Sequence, residues 1–301
     1  MAVVKIPQVR KDERIGSVFN DLFRVINNTE CADDNAIEWD FGGTDFFHPF
    51  FLAPLSIYKN RCGKRIICTN ISKDLSNYFS LINFDGIKRI EETDNLRQQL
   101  QPYVSKTYTP ICKFSLHNER VADDLQSIVQ AIIRQQSNYS DNINTPLSYL
   151  LGELVCNISQ HSQSEYGYLY SQFLKREQVI DLCIADDGIT IYGSYVRTKR
   201  YLDKIGDNEA AALYLANNGY STKNRPMSES RGFGLSTTRK LLVEGMKGAF
   251  FELSGGAFYR YESNKENYVL LPKSLYWEGT VILLRIPVTV GSDFNFYNYI
   301  E

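Results

Sequence analysis

Glu153, Asn157 and His161 stand at successive four-residue steps in the run E-L-V-C-N-I-S-Q-H. Residues four apart lie nearly above one another on an α-helix, so this spacing sets a carboxylate, a carboxamide and an imidazole on one face. An asparagine oxygen suits Mg2+, a hard cation that takes oxygen ligands and keeps several waters. A carboxylate one turn away can hold or deprotonate an attacking water or hydroxyl. Further along, I-D-L-C-I-A-D-D-G-I-T-I-Y-G reads as a buried strand ending at Asp186, with Gly188 close behind. A carboxylate fixed at a strand end can accept a hydrogen bond from an exocyclic amine such as that of adenine. The polar stretch from Gly219 runs into Arg231-Gly232-Phe233-Gly234, and a helix is expected to follow at once. Glycines at a helix start expose backbone N–H groups and the positive dipole end to phosphate, and Ser221, Thr222, Lys223 and Arg231 are further donors. Last, Trp277-Glu278-Gly279-Thr280 precedes the strand V-I-L-L-R-I-P-V.

Taken singly, these are an amphipathic helix, an Asp-Gly turn and ordinary loops. The elements that must position them are legible. Asn144 and Thr145 with Pro146 make a helix start, and Leu150, Leu151, Leu154, Val155 and Ile158 form the apolar stripe of the helix that runs to about His161. Strands are expected at 166–173 and 179–185, helices near Asp207 and Gly234, and three or four strands between Ala249 and Val288. The expected domain is therefore a set of helices packed on one face of a mixed, mostly antiparallel sheet. Before it, helical patterns at 12–27 and 74–82 alternate with strand patterns at 37–41 and 64–69, a smaller α/β layer. The apolar run 46–58 is expected to be helical on either side of Pro49 and Pro54, both of which interrupt it. The chain turns polar between Ile90 and Pro110, which places the boundary between a domain at 1–105 and a second at 106–301. The fold class is α+β.

The net charge of -2 gives no electrostatic case for nucleic acid or an anionic membrane. No stretch approaches the roughly 20 uninterrupted apolar residues of a membrane span, and the start lacks a secretion signal's apolar core. Cys31, Cys62, Cys68, Cys112, Cys156 and Cys183 include no Cys-x-x-Cys pair, so they read as reduced, buried thiols of a cytoplasmic protein.

The order of the four segments resembles the motifs of the gyrase, heat-shock-chaperone, histidine-kinase and mismatch-repair (GHKL) ATPase family, over roughly 121–288. By that resemblance the fold is a Bergerat-type α/β sandwich with nucleotide between helices and sheet, and the cofactors are ATP and Mg2+. Asn157 would hold the metal and Glu153 would be the base or water-orienting residue. Asp186 would bind adenine, Gly188 would allow close approach to the base, Gly232 and Gly234 would meet the phosphates with Lys223 and Arg231 nearby, and Thr280 would support the adenine contact. His161 matches a position often occupied by His in the anti-sigma-factor-kinase branch. One departure stands out: Thr190 occupies the second glycine of the usual Asp-x-Gly-x-Gly. The run I-E-W-D-F-G-G-T-D is similar to the strand-turn-helix of anti-sigma-factor antagonist (STAS-like) domains, with Thr44 as the analogous phosphorylatable hydroxyl.

The resemblance implies hydrolysis of ATP or transfer of its γ-phosphate to a protein, in signalling or regulation. It also implies a protein partner, with a homodimer among the options. A non-catalytic module in which ATP switches an interaction surface is the alternative. A purely structural α+β protein would require the ordered segments to coincide by chance.

Overall fold

The computed structural model describes residues 1–9, 15–44, 47–222 and 233–300, and only the backbone at Ile15 and Phe233. The chain divides into two compact units, Met1–Lys88 with Pro110–Cys112, and Arg89–Thr109 with Lys113–Glu301. The polar stretch at 90–109 thus belongs to the second unit. It is not a bare linker, because it carries a short helix and a turn of 3-10 helix.

In the first unit, β1 (Ala2–Lys5), α1 (Ile15–Glu30), β2 (Ala36–Asp40), α2 (Pro49–Arg61), β3 (Arg65–Thr69) and α3 (Lys73–Ile82) follow in order. The strands form a parallel sheet in the order β1-β2-β3. The two prolines do not break α2, contrary to expectation. Pro49 falls in its first turn, where the missing N–H has no helical partner to lose, and His48 Nδ1 accepts from Phe50 N at 3.2 Å as the cap. Pro54 removes one internal bond, a loss of about 3 kcal/mol in an exposed helix. Here every residue from Pro49 to Tyr58 is buried, and that apolar burial offsets the loss.

The second unit runs through β4 (Lys88–Ile90), α4 (Leu96–Leu100), β5 (Cys112–Ser115), α5 (Glu119–Ser137), α6 (Asn144–His161), β6 (Tyr166–Leu174) and β7 (Val179–Asp186). It continues with α7 (Ile191–Thr198), α8 (Leu202–Ile205), α9 (Glu209–Asn217), α10 (Phe233–Lys240), β8 (Ala249–Gly255), β9 (Ala257–Glu262), β10 (Lys265–Leu270) and β11 (Trp277–Pro287). Among the described residues the sheet has eight strands in the order β10-β9-β8-β11-β7-β6-β5-β4. Every pair from β10 through β6 is antiparallel. The fold is α+β, helices on a mostly antiparallel sheet.

Register fixes which side chains share a face, since residues directly opposite in an antiparallel pair point the same way. Leu169 faces Ile184, Ile184 faces Ile282, Ile282 faces Glu252, and Glu252 faces Tyr259. Asp186 lies two residues beyond Ile184 and is therefore on that same side, where α6, α7 and α9 pack. The apolar stripe of α6 is buried as expected, from Leu147 through Ile158. Its start differs. Asn144 is already helical, and its Oδ1 accepts from Tyr139 Oη and Gln130 Nε2 instead of capping the helix. Pro146 sits in the first turn, where a proline is tolerated.

The cysteines are free thiols. Cys112 and Cys183 are buried, but Cys31 and Cys156 are exposed, a correction to the reading of the set as buried. Cys156 lies three residues after Glu153 and four before Gln160, whose Nε2 donates to its sulfur, and so falls on the polar side of α6 despite its apolar neighbours in sequence. No helix among the described residues is long and apolar enough to cross a membrane.

Candidate functional site

Helix α6 lays its buried stripe on the sheet and turns Glu153, Asn157 and His161 toward a cavity of about 400 Å3. That size suits a nucleotide-sized molecule. The cavity is bounded by α6, by Asp186 at the end of β7, by Thr190, Ser194 and Tyr195 around the start of α7, and by Gly234 in α10. Glu252, Thr280 and Ile282 from β8 and β11 complete its floor. Glu153 and Asn157 on α6, Asp186, Gly234 and Thr280 are thus brought together from four separate stretches of sequence.

Asp186 is 1% exposed, and its Oδ1 accepts from Gly188 N at 3.0 Å. Its neighbour across the sheet is Gly279, at φ +77, where a Cβ would stand 2.3 Å from the Asp186 carbonyl oxygen and 2.7 Å from Oδ1. Only glycine combines that backbone conformation with so close an approach. A bulge between Trp277 and Thr280 accompanies it and brings Thr280 to the floor of the cavity. Ser254, on β8, ties this corner together. Its hydroxyl lies 3.0 Å from both the Gly279 carbonyl and Thr280 Oγ1, and it accepts from Ile191 N at 2.9 Å.

At the other side, Gly234 lies against α6. A Cβ there would come within 2.5 Å of Glu153 Oε2 and 3.4 Å of Asn157 Nδ2. The missing side chain thus lets the carboxylate and the carboxamide reach the first turn of α10, where backbone N–H groups favour anions. Asn157 Nδ2 is buried and has no hydrogen-bond partner among the described residues. A buried N–H2 donor left unpaired is a costly arrangement, and it fits a group that completes its contacts with an acceptor atom of a bound ligand, such as a phosphate oxygen. No cluster of three or more His, Cys, Asp or Glu suited to a metal occurs among the described residues. Mg2+ held by one protein oxygen together with nucleotide phosphates would need none.

His161 Nδ1 and Thr222 Oγ1 share a hydrogen bond at 3.0 Å, and Thr222 Oγ1 in turn lies 2.9 Å from Ser194 Oγ. This polar chain links the end of α6 to α7. Thr190, which stands where the glycine pattern noted in the sequence would have its second glycine, has φ -69 and caps α7, its Oγ1 accepting from Gly193 N at 2.9 Å. The departure from the glycine pattern therefore has a local reason: here the segment begins a helix.

Gly188 answers a different need from the one expected. It does not line the cavity; a Cβ would stand 2.0 Å from the Ser162 carbonyl oxygen and 2.9 Å from Ser164 N. Its bareness lets the turn after β7 press against the end of α6, where Ile189 N donates to Ser162 O at 2.6 Å. Lys223, Arg231 and Gly232 lie outside the described residues. In the first unit, Thr44 is 3% exposed and its Oγ1 has no partner among the described residues. A hydroxyl so buried is not presented to a phosphate donor.

Sequence reasoning missed Ser254 and Glu252. The signal was present: in A-F-F-E-L-S-G these are polar residues two apart in an apolar strand, hence on one face. Burial pushes the Glu252 carboxyl up to about 7, against the lowering effects of the Asn217 hydrogen bond and the Arg239 charge. The unfolded chain ionises this group near 4.5 while the folded chain keeps its proton until about 7. Stability is therefore lost as pH rises through that window, by about 3 kcal/mol from this group. Glu252→Gln should remove the loss: urea unfolding at pH 5 and pH 8 is expected to show a smaller fall in the variant than in the parent, and equal falls would contradict the assignment.

Arg239 sits nearby on α10, 6% exposed. It donates to the Asn217 carbonyl, to Asn218 Oδ1, to Tyr259 Oη and to Glu266 Oε2, which joins the end of α9 to α10 and the sheet. The chain matches no protein-family model, and no curated protein matches it.

Proposed function

We propose that the second unit binds Mg-ATP in this cavity in the manner of the GHKL family. In this reading it is an ATPase, or a protein kinase that passes the γ-phosphate to a protein partner. One observation carries the proposal: Glu153, Asn157, Asp186, Gly234 and Thr280, singled out from segments far apart in sequence, line one cavity. An amphipathic helix, a turn and two loops with unrelated structural roles would have no reason to converge.

In this reading Asp186, steadied by Gly188 N, accepts a hydrogen bond from the adenine amine, and Thr280 flanks the same edge. Asn157 supplies an oxygen to Mg2+, which neutralises phosphate charge and orients it for transfer. The N-terminus of α10 faces the phosphates. Glu153, one helical turn from Asn157, takes the proton of the attacking water or hydroxyl. The Bergerat-type sandwich is part of the same proposal, as is a protein partner, whether a substrate or a second copy of the chain.

Glu153→Ala separates chemistry from binding. General-base assistance contributes about 10²–10⁴-fold to rate, so phosphate release from Mg-ATP should fall by at least about a hundredfold while affinity for Mg-ATP is kept. Equal turnover in variant and parent would remove Glu153 from the chemistry. If the parent binds Mg-ATP without turning it over, the ATP-switched interaction module takes the place of the enzyme.

A further inference from the structure

Glu252 lies outside every segment that the sequence singles out, yet it lines the cavity. Strand β8 is buried throughout, and Glu252 itself is 0% exposed. Its Oε2 accepts from Asn217 Nδ2 at 2.7 Å. The other oxygen, Oε1, has no hydrogen-bond partner among the described residues. A carboxyl oxygen buried without a donor is costly, and such a group in a folded protein calls for an explanation. Arg239, whose charge acts on Glu252, does not supply the donor, since its N–H groups go to Asn217 O, Asn218, Tyr259 and Glu266.

We propose that Glu252 is a second ligand-binding carboxyl of the cavity, whose Oε1 meets a ribose hydroxyl of the nucleotide held at Asp186. The inference rests on the nucleotide reading given above and extends it to the sugar. Register supplies the spacing. Glu252 is opposite Ile282, Ile282 is opposite Ile184, and Asp186 is two residues farther along β7 on the same face. Two strand separations and two residue rises put the two Cα atoms roughly 12 Å apart. Parallel side chains at that separation, each allowed one hydrogen bond, span about the length of a nucleoside from its amine to its sugar. Chemistry supplies the choice of group. Glu252 changes protonation near neutral pH, so Oε1 belongs to an acceptor in one state and to a donor in the other. A hydroxyl can satisfy both states; an amine can satisfy only one.

The test compares Mg-ATP, Mg-2′-deoxy-ATP and Mg-3′-deoxy-ATP by titration calorimetry on the full chain and on Glu252→Leu. Leucine is the informative change, because glutamine would leave a donor that a hydroxyl can still meet. Loss of one hydrogen bond to this carboxyl should weaken one of the deoxynucleotides by about tenfold on the parent chain. In the leucine variant that discrimination should vanish while Mg-ATP itself binds about tenfold more weakly than to the parent. The parent-chain comparison can still overturn the role of Glu252 if the variant fails to fold, and Glu252→Ala is then the second variant in which the discrimination should vanish. Equal binding of the three nucleotides by the parent would overturn the role of Glu252 alone, as would undiminished discrimination in a folded leucine variant. Absence of Mg-ATP binding by the parent would overturn the nucleotide reading and this inference with it.

Discussion

Gly188→Ala should destabilise the second unit by about 3 to 5 kcal/mol, a large effect for the addition of one methyl group. The new Cβ would stand 2.0 Å from the Ser162 carbonyl oxygen, 2.7 Å from its carbon and 2.9 Å from Ser164 N. These are backbone atoms at the end of α6, so no side chain can swing aside to make room. Relief requires the turn after β7 to move away from α6, which breaks the Ile189 N to Ser162 O hydrogen bond. The same motion displaces Asp186, whose Oδ1 is held by Gly188 N. Urea unfolding measures the first effect and nucleotide titration the second. A loss below about 1 kcal/mol would mean that the turn and α6 are not packed as described.

Asp186→Ala should weaken Mg-ATP binding by about a hundredfold, because a buried charged acceptor contributes about 1.5–3 kcal/mol to the hydrogen bond it makes. The substitution replaces the acceptor that the adenine amine meets with a methyl group that cannot accept a hydrogen bond. The reading also fixes a preference among bases. Guanine carries a carbonyl where adenine carries its amine, and an acceptor facing Asp186 is repelled, so GTP should compete poorly with ATP. Competition between the two nucleotides on the parent chain checks this. Equal affinity for both would leave Asp186 without its role in base reading.

Much of the second unit was legible because its hydrophobic periodicity was strong. The stripe Leu150-Leu151-Leu154-Val155-Ile158 could only be one face of a helix, and it places Glu153, Asn157 and His161 without further information. Strand β7 was legible in the same way, from an apolar run ending at Asp186. What the residues could not disclose was long-range geometry. Gly188 beside Asp186 looks like a residue that admits a ligand, but its neighbour is the backbone at Ser162, far away in sequence. Gly279 carried little weight in sequence and proved to be the residue pressed against Asp186, at a backbone conformation that only tertiary structure specifies.

Thr190 looked like a defect in a glycine pattern and is a helix cap, a role visible only once α7 was seen to start there. In the first unit Pro54 argued for a broken helix, and the burial of α2 overrode it. Glu252 and Ser254 share one face of β8 by their two-residue spacing, but that spacing does not say what the face meets. Their meaning depends on β11 and β9 lying on either side, which no local pattern encodes.

Titration calorimetry of Mg-ATP into the full chain, with Asp186→Ala alongside, tests the nucleotide site most directly. Saturable one-to-one binding by the parent, lost or strongly weakened in a variant that still unfolds cooperatively, is the expected result. No saturable binding at millimolar Mg-ATP, or equal binding by parent and variant, would contradict the assignment of this cavity to ATP.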